Sequence, residues 1–361
     1  MADNKNQHYV PRCHLRPFTR DGDGKVINLF NLDLRRAISG APVKGQCSGD
    51  YFYGEDLRLE RRLQQFEGEY STLLAIIREP EYRLTPIARA TLGRFWLLQH
   101  LRTESASKRV VEMMDELDDD VGGLPEDYRI NIKDAVQNSV AIFFDQPDML
   151  GDLQLRLVRN RTPLPFVTSD NPAIMANRWH QTDRRAMGVS PGLQNAGMIG
   201  LLPLTPRILC LMYDGDLHTI PHVGGWIDAS EQDVEACNQQ QVLNCNANLY
   251  FQDWNDQDYV TGLVDRYWEG RLDVRHRINH LILESEENGV QTYKRVSAAE
   301  ARKHQRGIVH HESLTPTPSQ WPRLLRWRAG GAVYDSRSGE GFVRRAHRDP
   351  MRDYRRIRVR N

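Results

Sequence analysis

Cysteine is sparse in this chain: five in 361 residues, at Cys13, Cys47, Cys210, Cys237 and Cys245, with no CxxC pair. An odd and widely scattered set supports neither a disulfide framework nor a cysteine-rich zinc centre. Long apolar runs are missing too, because the most apolar stretches, Met198 to Leu202 and Ile208 to Tyr213, fall far short of the roughly 20 residues a spanning helix needs. No segment is expected to cross a membrane. The opening Met1-Ala2-Asp3-Asn4-Lys5-Asn6-Gln7-His8 lacks the apolar stretch of a secretory signal, so a cytoplasmic location is expected. Also absent are GxxxxGK[ST], GxGxxG after a strand, HExxH and GxSxG. No nucleotide-cofactor motif is therefore present, and energy-driven phosphoryl transfer, nicotinamide chemistry and α/β-hydrolase action lack support. The pairs His218/His222 and His276/His280 have i,i+4 spacing without an adjoining acid, which falls short of a metal motif.

What is present is ordinary globular material: 40% hydrophobic and 27% charged side chains, with 48 basic residues against 48 acidic. A chain of this length can bury a core unaided by metals or disulfides. The neutral total hides an asymmetry, since residues 321–361 hold twelve arginines, no lysine and four acids. The body is correspondingly acidic, and includes the cluster Asp115-Glu116-Leu117-Asp118-Asp119-Asp120. Arg344, Arg345, Arg348, Arg355, Arg356, Arg358 and Arg360 form the kind of run that neutralises phosphates on nucleic acid, or that folds back onto an acidic body.

Periodicity divides the chain into two textures. The turn signal Asp21-Gly22-Asp23-Gly24, before the alternating Val26 to Phe30, predicts a hairpin. From Asp56 to Arg78 apolar residues recur at spacings of three and four, which predicts an amphipathic helix. A second helix follows Thr85, with Pro86 in its first turn, and further helices are expected near 104–119 and 126–145. After Gly151 the pattern changes to strands: the alternating Leu153, Leu155 and Leu157, then Phe166 to Thr168, Ile199 to Leu204 and Ile208 to Tyr213. Helices return at 231–246 and 258–267, and Leu314 to Ser319 looks like a linker. The expected fold class is α+β, a mainly helical amino-terminal half packed on a mostly antiparallel sheet. One domain is expected over residues 1–300, with linker and basic tail over 301–361.

Four stretches could carry chemistry. The prolines of Gln7-His8-Tyr9-Val10-Pro11-Arg12-Cys13-His14-Leu15-Arg16-Pro17-Phe18 stiffen a segment that presents His8, a candidate base or metal ligand, or a hydrogen-bonded structural residue. Glu60 and Glu67 stand two turns apart on one helix face, placed for acid–base or cation work, or simply solvated helix formers paired with Arg61 and Arg62. Gln99 and Arg102 continue the buried seam of the next helix from Phe95. An inward guanidinium must find a carboxylate, Glu60 or Glu67, or else fork onto a ligand's phosphate or carboxylate. Thr168-Ser169-Asp170-Asn171-Pro172 follows a β-rich run, where Asp170 could serve as base or ligand, although the same residues make a good turn.

The opening Gln7 to Pro11 with Leu15-Arg16 and Phe18, then Tyr51-Phe52-Tyr53, Leu59-Glu60 with Glu67, Gln99 with Arg102-Thr103, Ser169 to Pro172 and Pro203 to Pro206 together resemble the bacterial DUF4238 family, over roughly residues 5–250. Cys13 and His14 stand where that family often has aromatic residues. The family lends no reaction, but the resemblance implies that His8, Glu60, Glu67, Gln99, Arg102, Asp170 and Asn171 form one recurring set, and hence a shared cleft. If they meet, His8, Glu60, Glu67 and Asp170 offer a ligand mixture suited to Mg²⁺ or Mn²⁺ and compatible with Zn²⁺. Arg102 would then steady a phosphoryl oxygen, with Tyr9, Gln99, Ser169 and Asn171 around the substrate. The leading expectation is metal-assisted phosphodiester hydrolysis on nucleic acid held by the arginine tail. The alternatives are a non-catalytic binding protein whose polar set is structural, and a metal-free nucleotide hydrolase or transferase.

Overall fold

The computed structural model describes residues 6–54, 58–79, 81–121, 131–146, 148–186, 191–221, 226–287, 290–304, 306–336 and 341–359. Helices Arg58–Ile77, Pro86–Arg102, Glu104–Val121 and Ile132–Asp145 pack together ahead of the main sheet. Pro86–Arg102 begins where a helix should: Thr85 is its N-cap, accepting from Ala88 N at 3.2 Å, and Pro86 occupies the first turn, where no donor is lost. Its Phe95 ring lies flat on Tyr70 of the preceding helix, with centroids 3.4 Å apart. No helix among the described residues is long and apolar enough to cross a membrane.

The fold is α+β with predominantly antiparallel sheets. The largest orders its strands Ile227–Ala229, Gln154–Asn160, Ile208–Tyr213, Met198–Thr205 and Ile174–Asn177, and only the first pair is parallel. Met198–Thr205 and Ile208–Tyr213 are buried at every position and joined through Pro206-Arg207, as the proline-punctuated turn requires. Trp96 reaches across from Pro86–Arg102 and donates its indole N–H to Leu201 O at 3.1 Å. Gly200 makes that approach possible, since a Cβ there would stand 2.8 Å from Met212 and 3.1 Å from the indole.

A second sheet orders Arg36–Pro42, Val26–Asn31, Asn248–Phe251 and Thr168–Ser169, all antiparallel. The hairpin partner of Val26–Asn31 is thus the downstream strand, turned through 32–35. The Asp21–Gly24 turn, with Gly22 and Gly24 at positive φ, yields only the bridge Thr19↔Ile27. Helix Glu231–Asn244 feeds directly into Asn248–Phe251. The expected helix over 126–145 is described only from Ile132, and residues 126–130 lie outside the described residues.

The carboxyl-terminal third carries strands that no sequence pattern announced. Val290–Val296, His276–Glu287 and Gly307–Ser313 form one antiparallel sheet, and Phe342–Val343, Ala332–Asp335 and Arg355–Arg358 another. His276 and His280 therefore share a strand instead of adjacent helical turns, and His276 meets Glu116 at 2.8 Å. His222 lies outside the described residues. The arginine run is folded in part. Arg344 is buried and pairs with Asp152 at 2.8 Å, so this residue is a structural tie and does not reach a phosphate. Arg345 pairs with Asp216 at 2.9 Å, and Arg348 lies over the Tyr334 ring. Arg355, Arg356 and Arg358 stay exposed, while Arg360 lies outside the described residues.

Candidate active site

Strand Asn6–His8 pairs with Ser48–Asp50, and strand alternation sends Gln7 inward and His8 toward the opposite face. The Gln7 amide is fully buried, accepting from Tyr53 N at 2.6 Å and donating to Gly54 O at 3.2 Å, which locks the strand in place. The Tyr53 hydroxyl donates to His8 O at 3.0 Å. His8 Nδ1 lies 3.0 Å from Gln46 O. A carbonyl only accepts, so the neutral ring carries its proton on Nδ1 and leaves Nε2 as a base. Burial pulls this histidine below its usual 6.5, against the Gln46 hydrogen bond and helped by the charges of Arg12 and Arg102.

Helix Arg58–Ile77 brings Glu60 and Glu67 to the same place. An open cleft of about 390 Å³ is lined by His8, Glu60 and Glu67, with Arg12, Cys13 and Lys44 around them. Burial, and then the charge of Glu67, raise Glu60 above the usual carboxylate value, while Gln64 donates to its Oε1 at 3.1 Å. The Cys13 thiol is pushed up to about 12 by burial and Glu67, so it is protonated at neutral pH and no nucleophile. Arg61 is exposed, and Arg62 stacks on Phe144 instead of pairing with either glutamate.

Arg102 stands behind this cleft and does not line it. Its side chain has no exposure, and its Nη1 donates to Glu67 Oε1 at 2.7 Å. Burial alone would lower the guanidinium, yet the Tyr53 and Glu67 side chains outweigh that and leave it raised. Arg102 is therefore a positioning residue for Glu67, which corrects its expected role beside the substrate. Gln99 is equally buried and donates to Tyr9 O at 3.0 Å. The Tyr9 ring turns away from His8, its hydroxyl donating to Glu104 at 3.1 Å. His14 sits among Phe18, Tyr70 and Phe95.

The fourth stretch does not join the cleft. Asp170 is buried, and its two oxygens accept backbone N–H groups from Asn246 at 2.8 Å, Ala247 at 2.6 Å and Asn248 at 2.9 Å. With both oxygens so engaged, it is neither the base nor the metal ligand expected of it. Ser169 donates to Gln241 Oε1 at 2.7 Å, and Asn171 donates to Asn244 O at 3.1 Å while accepting from the Thr103 hydroxyl. Ser169, Asp170 and Asn171 together clamp the end of helix Glu231–Asn244 and the turn after it, which corrects the roles expected of them beside His8, and Asn171 lines a separate pocket with Arg109 and Arg275. Among the described residues no three His, Cys, Asp or Glu side chains are grouped as a metal site.

Sequence reasoning missed Arg12 and Lys44 as cleft residues. Arg12 stood in the opening segment, beside the proline that aims it. Lys44 carried no signal, because only the pairing of residues 6–8 with 48–50 brings its turn to the cleft. Comparison with curated proteins and with solved structures returned no match. The sequence does match the family described as protein of unknown function (DUF4238) over residues 6–255, a span that contains His8, Glu60, Glu67, Arg102 and the Asp170 clamp, and the chain belongs to that family.

Proposed function

We propose that the His8 cleft cleaves a phosphodiester of RNA by acid–base chemistry. The observation that carries this reading is that a histidine shifted down and a glutamate shifted up share one cleft with two cations. Ordinarily a neutral histidine and a protonated glutamate coexist poorly, because the histidine titrates at the higher pH. Moving the two pKa values toward each other enlarges the fraction carrying a free base and a free acid together.

His8 Nε2 takes the proton of the ribose 2′-hydroxyl as its oxygen attacks phosphorus. Glu60 gives its proton to the departing 5′-oxygen as the P–O bond breaks, leaving a 2′,3′-cyclic phosphate. An internal nucleophile needs no activation beyond removal of its proton, since holding it in place already supplies several kcal/mol. Arg12 and Lys44 meet the phosphate oxygens where charge develops. The exposed Arg348, Arg355, Arg356 and Arg358 would lie against the phosphates of a bound strand. A divalent cation fits this cleft poorly, because His8, Glu60 and Glu67 are not grouped as a metal site among the described residues and Glu67 Oε1 already accepts from Arg102.

The test is cleavage of labelled RNA and DNA by the purified full chain, with a chelator and with Mn²⁺. RNA cut in chelator, with His8→Ala and Glu60→Gln each slowing turnover by about 10²-fold or more, is the expected result. Cleavage that requires Mn²⁺ assigns the reaction to the metal instead. No cleavage by wild type leaves the binding-protein alternative, in which the buried Arg102 and Asp170 networks only hold the fold, and undiminished cleavage by both variants places the reaction outside this cleft.

A further inference from the structure

Away from the His8 cleft, the molecule gathers cations in a hollow that no carboxylate lines. A pocket of about 400 Å³ is bounded by helix Glu104–Val121, the end of helix Glu231–Asn244 and strand Gly307–Ser313, and its wall includes Arg109, Arg275 and Thr315 but neither Asp nor Glu. Arg275 is held rigidly, donating to Asn244 O at 3.0 Å and Leu243 O at 2.9 Å across the last turn of the helix. Arg109 donates no hydrogen bond among the described residues, and burial lowers it from the usual arginine value against the charge of Glu112. Burial and the charges of Arg271 and Arg109 bring Arg275 down to about 10, with Cys245 and Asp170 acting against them. Two half-buried cations that repel each other, offset only in part by Glu112 and Asp170 outside the pocket wall, gain when an anion enters between them.

We propose that this pocket binds the phosphate of a phosphate monoester, with its organic part against Met175, Leu193 and Leu314. Two guanidiniums arriving from different elements suit a dianion with three terminal oxygens, whereas a carboxylate is satisfied by one planar fork. The pocket is much larger than a phosphate group, and its apolar wall gives the remainder of such a ligand a place to lie.

The experiment is calorimetric titration of the full chain with adenosine 5′-monophosphate, with inorganic phosphate, adenosine and acetate as competitors. Saturable binding of the nucleotide, displaced by phosphate and little affected by acetate, is expected. Arg109→Gln should weaken it by about tenfold or more, the worth of one charged hydrogen bond. The ligand-free Tm of that variant should stay close to wild type, because the repulsion removed and the attraction to Glu112 lost offset each other. His8→Ala should bind as wild type does, which separates this pocket from the cleft. Absence of saturable binding, wild-type affinity in Arg109→Gln, loss of binding in His8→Ala, or displacement by adenosine or acetate as readily as by phosphate would each overturn the assignment.

Discussion

Removing the carboxylate of Glu67 and removing the guanidinium of Arg102 are unequal changes, because Glu67 retains 21% side-chain exposure and Arg102 none. Glu67→Ala strands a charge inside the protein, at an expected cost of about 3–5 kcal/mol, while Arg102→Met lets Glu67 turn to solvent and should cost less. Denaturant midpoints of the two variants check the order, and the reverse order would mean that Glu67 is the less hydrated partner. The pH profile also belongs to single residues. With His8 active when neutral and Glu60 when protonated, kcat/KM should rise and fall around an optimum below 6.5, the value from which His8 is lowered. Glu60→Gln should remove the limb that declines with increasing pH. A profile that climbs through neutrality would assign the chemistry to other groups.

Elements meet at narrow points, and each tolerates little. Gly200 lies under Trp96 where a methyl group would collide with both the indole and Met212, so Gly200→Ala should cost about 1–3 kcal/mol and lower the Tm. The Asp170 clamp joins one strand to the turn between a helix and the next strand. Asp170→Asn turns an amide donor toward backbone donors and should destabilise by about 2–3 kcal/mol, without changing residual catalysis per folded molecule. A loss of turnover at unchanged Tm would return Asp170 to the reaction. On the Arg355–Arg358 strand, replacing Arg355, Arg356 and Arg358 with alanine should flatten the salt dependence of RNA binding by about 0.7 in log–log slope for each phosphate no longer neutralised.

At the scale of the molecule, four histidines among the described residues are held far below the usual 6.5: His14 and His218 at about 3, His100 and His180 at about 4, in each case chiefly because burial disfavours the charged ring. The unfolded chain binds their protons first, so stability is full above about 6.5 and declines as pH falls toward about 4. Asp170 and Asp214, raised by burial, act in the opposite sense nearer the carboxylate range. Tm followed down from neutral pH should drop across this window, and a flat curve would mean that these rings take up protons as readily in the folded protein as in the unfolded chain.

The sequence by itself determined the long helices and the central hairpin of the sheet, because helical spacing, the Thr85-Pro86 start and the turn through Pro206 are local signals that later packing reinforces. It also singled out His8, Glu60 and Glu67, which do share a cleft. Only the tertiary structure decided which polar residues face solvent. Asp170 and Glu60 look alike in sequence, yet one is enclosed by three amides donated by a turn some 76 to 78 positions away, while the other opens onto water. Hydrogen bonding and burial across such separations leave no periodic trace in the chain, and they set what a carboxylate can do.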